Sequence, residues 1–128
     1  MRLSKSKFKK LLLVAVDEGL SSLGKSSKQA IYSHLSRKFN ISKQEIPERI
    51  EAFTGAIEDI FGVGANFLEL IIMQQIHDKV GHQAEWQESK DLTFPEYVSA
   101  AKKSFLEREE TQKIGEDSVQ WEQMRIEN

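Results

Sequence analysis

The fold of this chain is decided by residues 46–80, which read IPERIEAFTGAIEDIFGVGANFLELIIMQQIHDKV. The first half places an apolar residue at every third or fourth position, and this spacing predicts an amphipathic helix with one buried face. Gly62-Val63-Gly64 then interrupts the helix. The apolar residues before this break are Ile46, Ile50, Phe53, Ile57, Ile60 and Phe61.

The second half of the stretch, from Ala65 to Val80, predicts another helix that is apolar on nearly every side. Burying one large side chain is worth about 1.5–3 kcal/mol, so a solvated second apolar face is the less stable arrangement. We therefore expect this central helix in the middle of a bundle or across a subunit interface. Within it and the preceding break, we select one set as a candidate pocket or interface: Gly62, Gly64, Phe67, Glu69 and Met73.

Local signals outside this stretch predict three more helices, which are the first, the second and the fifth along the chain. Apolar residues at helical spacing predict the first helix from Ser4 to about Gly19, and Gly24 offers a positive φ for the following turn. Ser26 or Ser27 is expected to cap the second helix, which Asn40 closes. Ser42 and Glu45 form a capping-box pattern ahead of the helix of residues 46–61, and that helix is expected to begin between Lys43 and Pro47.

A fifth helix is predicted after a polar loop of residues 82–92. Its start is marked by Thr93-Phe94-Pro95-Glu96, a capping box with proline in the first turn. Its apolar stripe is Phe94, Val98, Ala101 and Phe105. No alternating apolar run is bounded by hairpin residues, so the predicted fold class is all-α, a compact bundle of about five helices with a nearly all-apolar central helix.

The helices predict one domain over residues 1–113, with a core at 1–81 and an additional docking helix at 93–113. Residues 114–128 form an acidic and polar tail, and we expect it to be disordered or to dock on a partner.

Charge is distributed very unevenly along the chain. Residues 1–43 carry ten basic and two acidic side chains, a balance of +8, whereas residues 44–128 carry a balance of −10. This asymmetry is typical of a nucleic-acid or acidic-protein partner, yet it can equally be satisfied within the fold or between subunits. The candidate electrostatic patch at the amino end is Arg2, Lys5, Lys7, Lys9 and Lys10.

Sequence-specific DNA recognition is disfavoured by the residues that would perform it. The segment from Ser27 to Phe53 has the spacing of a helix-turn-helix, but its second helix would present Glu45, Glu48 and Glu51 to the groove. Contact of the basic first helix with a nucleic-acid backbone remains the alternative hypothesis.

The sequence offers little for catalysis, metals or membranes. The absence of cysteine removes thiolate chemistry and suits a cytoplasmic protein. The histidines His34, His77 and His82 lack metal-ligand spacing, and we expect His34 to be partly buried on the apolar stripe of the second helix. No nucleophile elbow or phosphate-binding loop occurs, and the apolar run Leu11 to Val16 is too short for a signal peptide or a membrane span. We expect no enzyme activity, no cofactor, no metal and no membrane partner.

A pattern of packing and turn residues lies between Asp17 and Gly81. It comprises Gly19-Leu20, Leu23-Gly24, Ala30-Ile31-Tyr32, Leu35, Ile41, Ile46-Pro47, Phe53, Phe61-Gly62-Val63-Gly64-Ala65, Leu68-Glu69 and Ile72. In this pattern the chain resembles the small archaeal helical domain first named as an output domain of Nitrosopumilus. The resemblance covers roughly the first 80 residues, and it implies a regulatory or output role in archaeal signalling without catalytic residues.

The leading functional hypothesis is a cytoplasmic regulatory module that binds protein partners and forms a homodimer through the central helix. Binding to a nucleic-acid backbone is the second hypothesis. A small-molecule sensor with a pocket beside Gly62, Gly64 and Glu69 is the third.

Overall fold

The computed structural model describes residues 2–80 and 92–109, apart from the side chain of Arg2. Within these ranges the chain is all-α, as predicted, and contains no β-strand. Two short 3-10 helices, Lys43–Glu48 and Gly62–Gly64, connect the longer helices. The α-helices are α1 (Arg2–Ser21), α2 (Lys25–Phe39), α3 (Ile50–Phe61), α4 (Ala65–Val80) and α5 (residues 94–109).

The two helices that pack together most extensively are α1 and α4. Gly19 lies directly against α4, where a Cβ atom on residue 19 would stand 2.5 Å from Cγ1 of Ile72. No real Cβ contact is that short, so the close approach of the two backbones requires glycine at this position. Ile72 therefore lies on the side of α4 that packs against α1.

The ends of α2 confirm one prediction and correct another. Asn40 closes the helix in the left-handed conformation with φ of 55°, and Gly24 precedes it with φ of 102°. The prediction that Ser26 or Ser27 caps α2 is wrong, because the helix already begins at Lys25 and Gly24 is its N-cap. Glycine at residue 24 permits the positive φ that turns the chain out of α1.

The capping box of Ser42 and Glu45 forms, but it begins a different helix from the one expected. The backbone N–H of Ser42 donates to Oε1 of Glu45 at 3.0 Å, and the helix that it caps is the 3-10 helix Lys43–Glu48. Helix α3 starts only at Ile50. Pro47 lies inside the 3-10 helix, and the N–H of Arg49 just after it donates to the carbonyl oxygens of Glu45 and Ile46.

Helix α5 docks on the bundle with the predicted cap and stripe. The N–H of Thr93 donates to Oε1 of Glu96 at 2.9 Å, and the N–H of Glu96 donates back to Oγ1 of Thr93 at 3.3 Å. The ring of Phe94 lies 6.3 Å from that of Phe53. Phe94, Val98 and Ala101 are buried, and Phe105 is half-buried against the core.

Tyr97 was absent from the predicted stripe, yet it is the largest fully buried side chain of the described chain. Its hydroxyl donates to the backbone oxygen of Met73 at 3.3 Å, which ties α5 to α4. Burial, and next the charge of Asp78, raises the pKa of Tyr97 to about 12. The hydroxyl therefore remains a hydrogen-bond donor at neutral pH.

Two predicted segments lie outside the described residues: most of the polar loop 82–92 and the acidic tail 114–128. Among the helices that the structure describes, none is long and apolar enough to cross a membrane.

Candidate interaction surface and cleft

The side of α4 opposite α1 carries an uncovered apolar face, which we call the Phe67 face and define as Val63, Phe67 and Leu70. Their exposed fractions are 100%, 70% and 37%. Spacings of four and three residues align them along one side of the turn and helix. The described helices thus bury one side of α4, and the expectation that a second subunit covers its other apolar side stays a prediction.

The inward side of α4 explains why the helix cannot rotate to hide Phe67. Leu68, Ile72 and Ile76 are buried in the core. Rotation would expose these three side chains in exchange for two or three others. The excess of apolar residues on α4 thus leaves one face in water.

A cleft of about 550 Å³ borders the Phe67 face, between α3, α4 and the first turn of α5. It combines apolar walls with three glutamates and no described cation. Leu70 belongs both to the cleft and to the Phe67 face. The residues that line the cleft are Glu51, Thr54, Gly55, Glu58, Asn66, Glu69, Leu70, Met73, Leu92, Thr93, Phe94 and Pro95.

Glu69 is the half-buried carboxylate of this cleft. Its Oε2 atom is buried and has no hydrogen-bond partner among the described residues. Burial is the main cause that raises the pKa of Glu69, and the negative charge of Glu58 raises it further. Burial and the nearby Glu58 therefore make ionisation of Glu69 less favourable than that of a solvated glutamate.

The structure brings together only part of the predicted pocket or interface set. Glu69 and Met73 both line the cleft, and Met73 is buried. Phe67 points to solvent instead. Gly62 and Gly64 lie in the exposed turn before α4, where Gly62 has a φ of 59°. The glycines therefore shape the chain reversal and do not line the cleft.

The basic patch of α1 is partly paired inside the fold. Lys7 Nζ lies 3.7 Å from Oε2 of Glu109, and Lys9 contacts the carboxylate of Glu48. Lys5 and Lys10 are exposed. The side chain of Arg2 lies outside the described residues. Binding to a nucleic-acid backbone stays a prediction, with two of the patch's four described lysines already contacting carboxylates.

A second half-buried carboxylate, Asp17, joins three elements in what we call the Asp17 junction: Asp17, Lys28, Tyr32 and Lys43. Asp17 accepts hydrogen bonds from Lys28 Nζ at 3.1 Å and from the Tyr32 hydroxyl at 2.9 Å. Lys43 Nζ lies 3.3 Å from Asp17 and 5.0 Å from the centre of the Tyr32 ring. The junction connects α1, α2 and the first 3-10 helix.

The junction shifts the pKa values of Asp17 and Tyr32. Burial alone would raise the pKa of Asp17, but hydrogen bonds from Lys28, Tyr32 and Lys43 outweigh it and the pKa is lowered. Burial, and next the hydrogen bond to Asp17, raises the pKa of Tyr32. This site could not be predicted from the sequence, because its members are scattered over residues 17–43 without a motif.

The described residues contain no cluster of histidine, aspartate or glutamate that would hold a metal ion. His34 was expected to be partly buried on the stripe of α2, and that prediction is wrong. Its side chain is exposed, with its ring 5.8 Å from that of Phe39.

Comparisons of this chain with protein-family models, with curated proteins and with solved structures find no match.

Proposed function

We propose that this chain is a non-enzymatic, regulatory protein-interaction module that pairs with a second copy of itself through the Phe67 face. The observation that carries this proposal is the solvent exposure of Val63, Phe67 and Leu70 on a single side of the molecule. Contiguous exposed apolar side chains with a polar rim are typical of protein-interaction sites. A large aromatic side chain at the centre of such a site supplies much of the binding energy.

The flanks of the face suit a second copy. Of the exposed polar residues of α4 on this side, Asn66 and Gln74 are uncharged, and Asp78 is a carboxylate one turn after Gln74. When two copies of the same surface meet around a two-fold axis, each side chain faces a region identical to its own surroundings, and such a contact closes at two subunits. Pairing through this face also avoids the like-charge repulsion that two copies of the basic α1 surface would suffer if they met.

The regulatory part of the proposal is supported by the resemblance of residues 17–81 to the archaeal output domain. A regulatory module of this kind acts by associating with protein partners. The Phe67 face is a surface through which it could associate. A cytoplasmic location is supported by the absence of cysteine.

Analytical ultracentrifugation of the full chain over micromolar concentrations tests the proposal. We expect a concentration-dependent monomer–dimer equilibrium. The variant Phe67→Gln removes the anchor and should weaken the dimerisation Kd by about 30-fold, because an aromatic anchor is worth about 2 kcal/mol or more.

The control is Leu23→Gln, since Leu23 is 39% exposed, close to the 37% of Leu70, but lies in the turn between α1 and α2. This variant should associate like the parent. A parent chain that stays strictly monomeric over the whole range, or equal losses in both variants, would refute pairing through the Phe67 face.

A further inference from the structure

The outward side of α1 carries a second uncovered surface, which we call the α1 stripe and define as Leu3, Lys7, Lys10 and Val14. The four residues follow at spacings of four, three and four, so they lie along one side of the helix. Leu3 is 72% exposed and Val14 is 47% exposed, while Lys10 is exposed between them. The stripe is therefore both apolar and basic.

The last described residue of helix α5 lies beside this stripe. Glu109 is the last described residue of α5, and its Oε2 lies 3.7 Å from Nζ of Lys7. The ring of Phe105, one turn earlier, lies 5.6 Å from that of Phe8 on α1. Residues 110–128 therefore begin at the edge of the α1 stripe.

The composition of residues 110–128 complements the stripe. The segment has five acidic side chains against Lys113 and Arg125, so its net charge is −3. Apolar side chains are interspersed with the acids. They include Ile114, Val119, Trp121, Met124 and Ile126.

We propose that residues 110–128 dock on the α1 stripe of the same chain. Their acidic side chains neutralise Lys7 and Lys10, and their apolar side chains cover Leu3 and Val14. In this contact Lys7 and Lys10 of the basic amino end are paired within the same chain. The +8 and −10 halves of the sequence then meet partly across this surface.

The segment is long enough for the task. The stripe spans eleven helical steps, or about 16 Å at 1.5 Å per residue. An extended chain covers that distance in about five residues at 3.3 Å each. Because the segment is covalently attached at the edge of the stripe, its effective concentration favours even a weak contact over an intermolecular one.

Trp121 provides a direct reporter of docking. The chain contains two tryptophans, Trp86 and Trp121, so the full-length variant Trp86→Phe leaves a single emitter in the segment. We would measure quenching of its fluorescence by acrylamide, with N-acetyltryptophanamide as the fully accessible reference. Further substitutions in the Trp86→Phe chain are Lys10→Glu and Val14→Ser on the stripe, and Lys25→Glu as the control.

Docking predicts that Trp121 is quenched severalfold less than the reference and that dilution does not change this shielding. Lys10→Glu and Val14→Ser should each raise the quenching severalfold, and added salt should raise it as well, because the contact is partly electrostatic. Lys25→Glu places the same charge reversal on an exposed lysine of α2 and should leave the quenching unchanged. Circular dichroism confirms that each variant retains its helices.

Three results would overturn the proposal: quenching of Trp121 as strong as that of the reference, shielding that survives both stripe variants, or shielding that disappears on dilution. The last result would assign the covering segment to a second copy. Because the stripe lies on α1 and dimerisation is proposed through α4, the ultracentrifugation and quenching experiments fail or succeed independently.

Discussion

Asp17 and Glu69 are both half-buried carboxylates, but their surroundings differ. Asp17 receives hydrogen bonds or ion pairs from Lys28, Tyr32 and Lys43, and its pKa is lowered. Glu69 faces the carboxylate of Glu58, has a buried oxygen without a hydrogen bond, and has a raised pKa. Asp17 therefore stabilises the fold, whereas the ionised form of Glu69 destabilises it. The unsatisfied one lies next to the exposed Phe67 face.

The largest effect is expected at the Asp17 junction. Asp17→Asn removes the negative charge that three donors share and should lower the free energy of unfolding by about 1–3 kcal/mol, measured by urea denaturation. The control is Asp59→Asn. Its ion pair with Lys38 is more than half exposed on both sides, so the loss should stay below about 1 kcal/mol. Equal losses in the two variants would contradict a structural role for the junction.

A smaller effect is expected from the hydroxyl of the same junction. Tyr32→Phe keeps the ring beside Lys43 and removes one hydrogen bond, so it should cost about 0.5–1.5 kcal/mol. The double variant Asp17→Asn/Tyr32→Phe should lose less stability than the sum of the two single losses, because both changes act on the same hydrogen bond between Tyr32 and Asp17. Additive losses would show that Tyr32 and Asp17 act separately.

A substitution of Glu69 in the cleft is expected to raise stability instead of lowering it. Glu69→Gln removes the burial of a charge and the repulsion from Glu58, so at pH 7 it should raise the free energy of unfolding by up to about 1 kcal/mol. The control Glu48→Gln breaks the contact of an exposed glutamate with Lys9 and should leave stability unchanged or slightly lower. A loss of stability in Glu69→Gln would indicate that Glu69 has a stabilising partner.

The effects of Glu69→Gln and Asp17→Asn on the free energy of unfolding should change with pH in opposite ways. The raised pKa of Glu69 means that the folded state binds this proton more tightly, so its destabilising effect fades as pH falls through that pKa. The gain from Glu69→Gln should therefore vanish by the ordinary glutamate value of 4.5.

Asp17 behaves in the reverse manner. Its lowered pKa contributes stability that is fully present above the ordinary value of 3.8 and is lost as pH falls from there through the folded pKa. The cost of Asp17→Asn should persist at pH 5 and shrink only in stronger acid. Denaturation curves of both variants and the parent over this range measure the two trends. Parallel trends in the two variants would contradict the assigned pKa directions.

The helices themselves were largely predictable, because local chemistry sets them. Asn40 ends α2 in a left-handed conformation, and Thr93 with Glu96 begins α5, as their residue types indicated. Tyr97 was missed, although it sits three residues after Phe94 and four before Ala101, where helical spacing would have placed it on the stripe.

The surfaces were less predictable, because they depend on which neighbours reach each helix. Nothing in the sequence of α4 tells which apolar face meets α1. In the structure Ile72 lies against Gly19, and Phe67 is exposed. The junction of Asp17 with Lys28 and Lys43 likewise exists only after three elements have packed. Spacing rules describe single helices and carry no information on such contacts.

The most direct test of the account is an amide NMR spectrum of the full chain recorded at low and high micromolar concentration. We predict that concentration-dependent shifts concentrate at residues 63, 66, 67, 70 and 74, around the Phe67 face. Amides of the Asp17 junction, at residues 17, 28, 32 and 43, should not move. Shifts confined to α1 or the Asp17 junction, or no shifts at any residue, would contradict the assignment of α4 as the interaction surface.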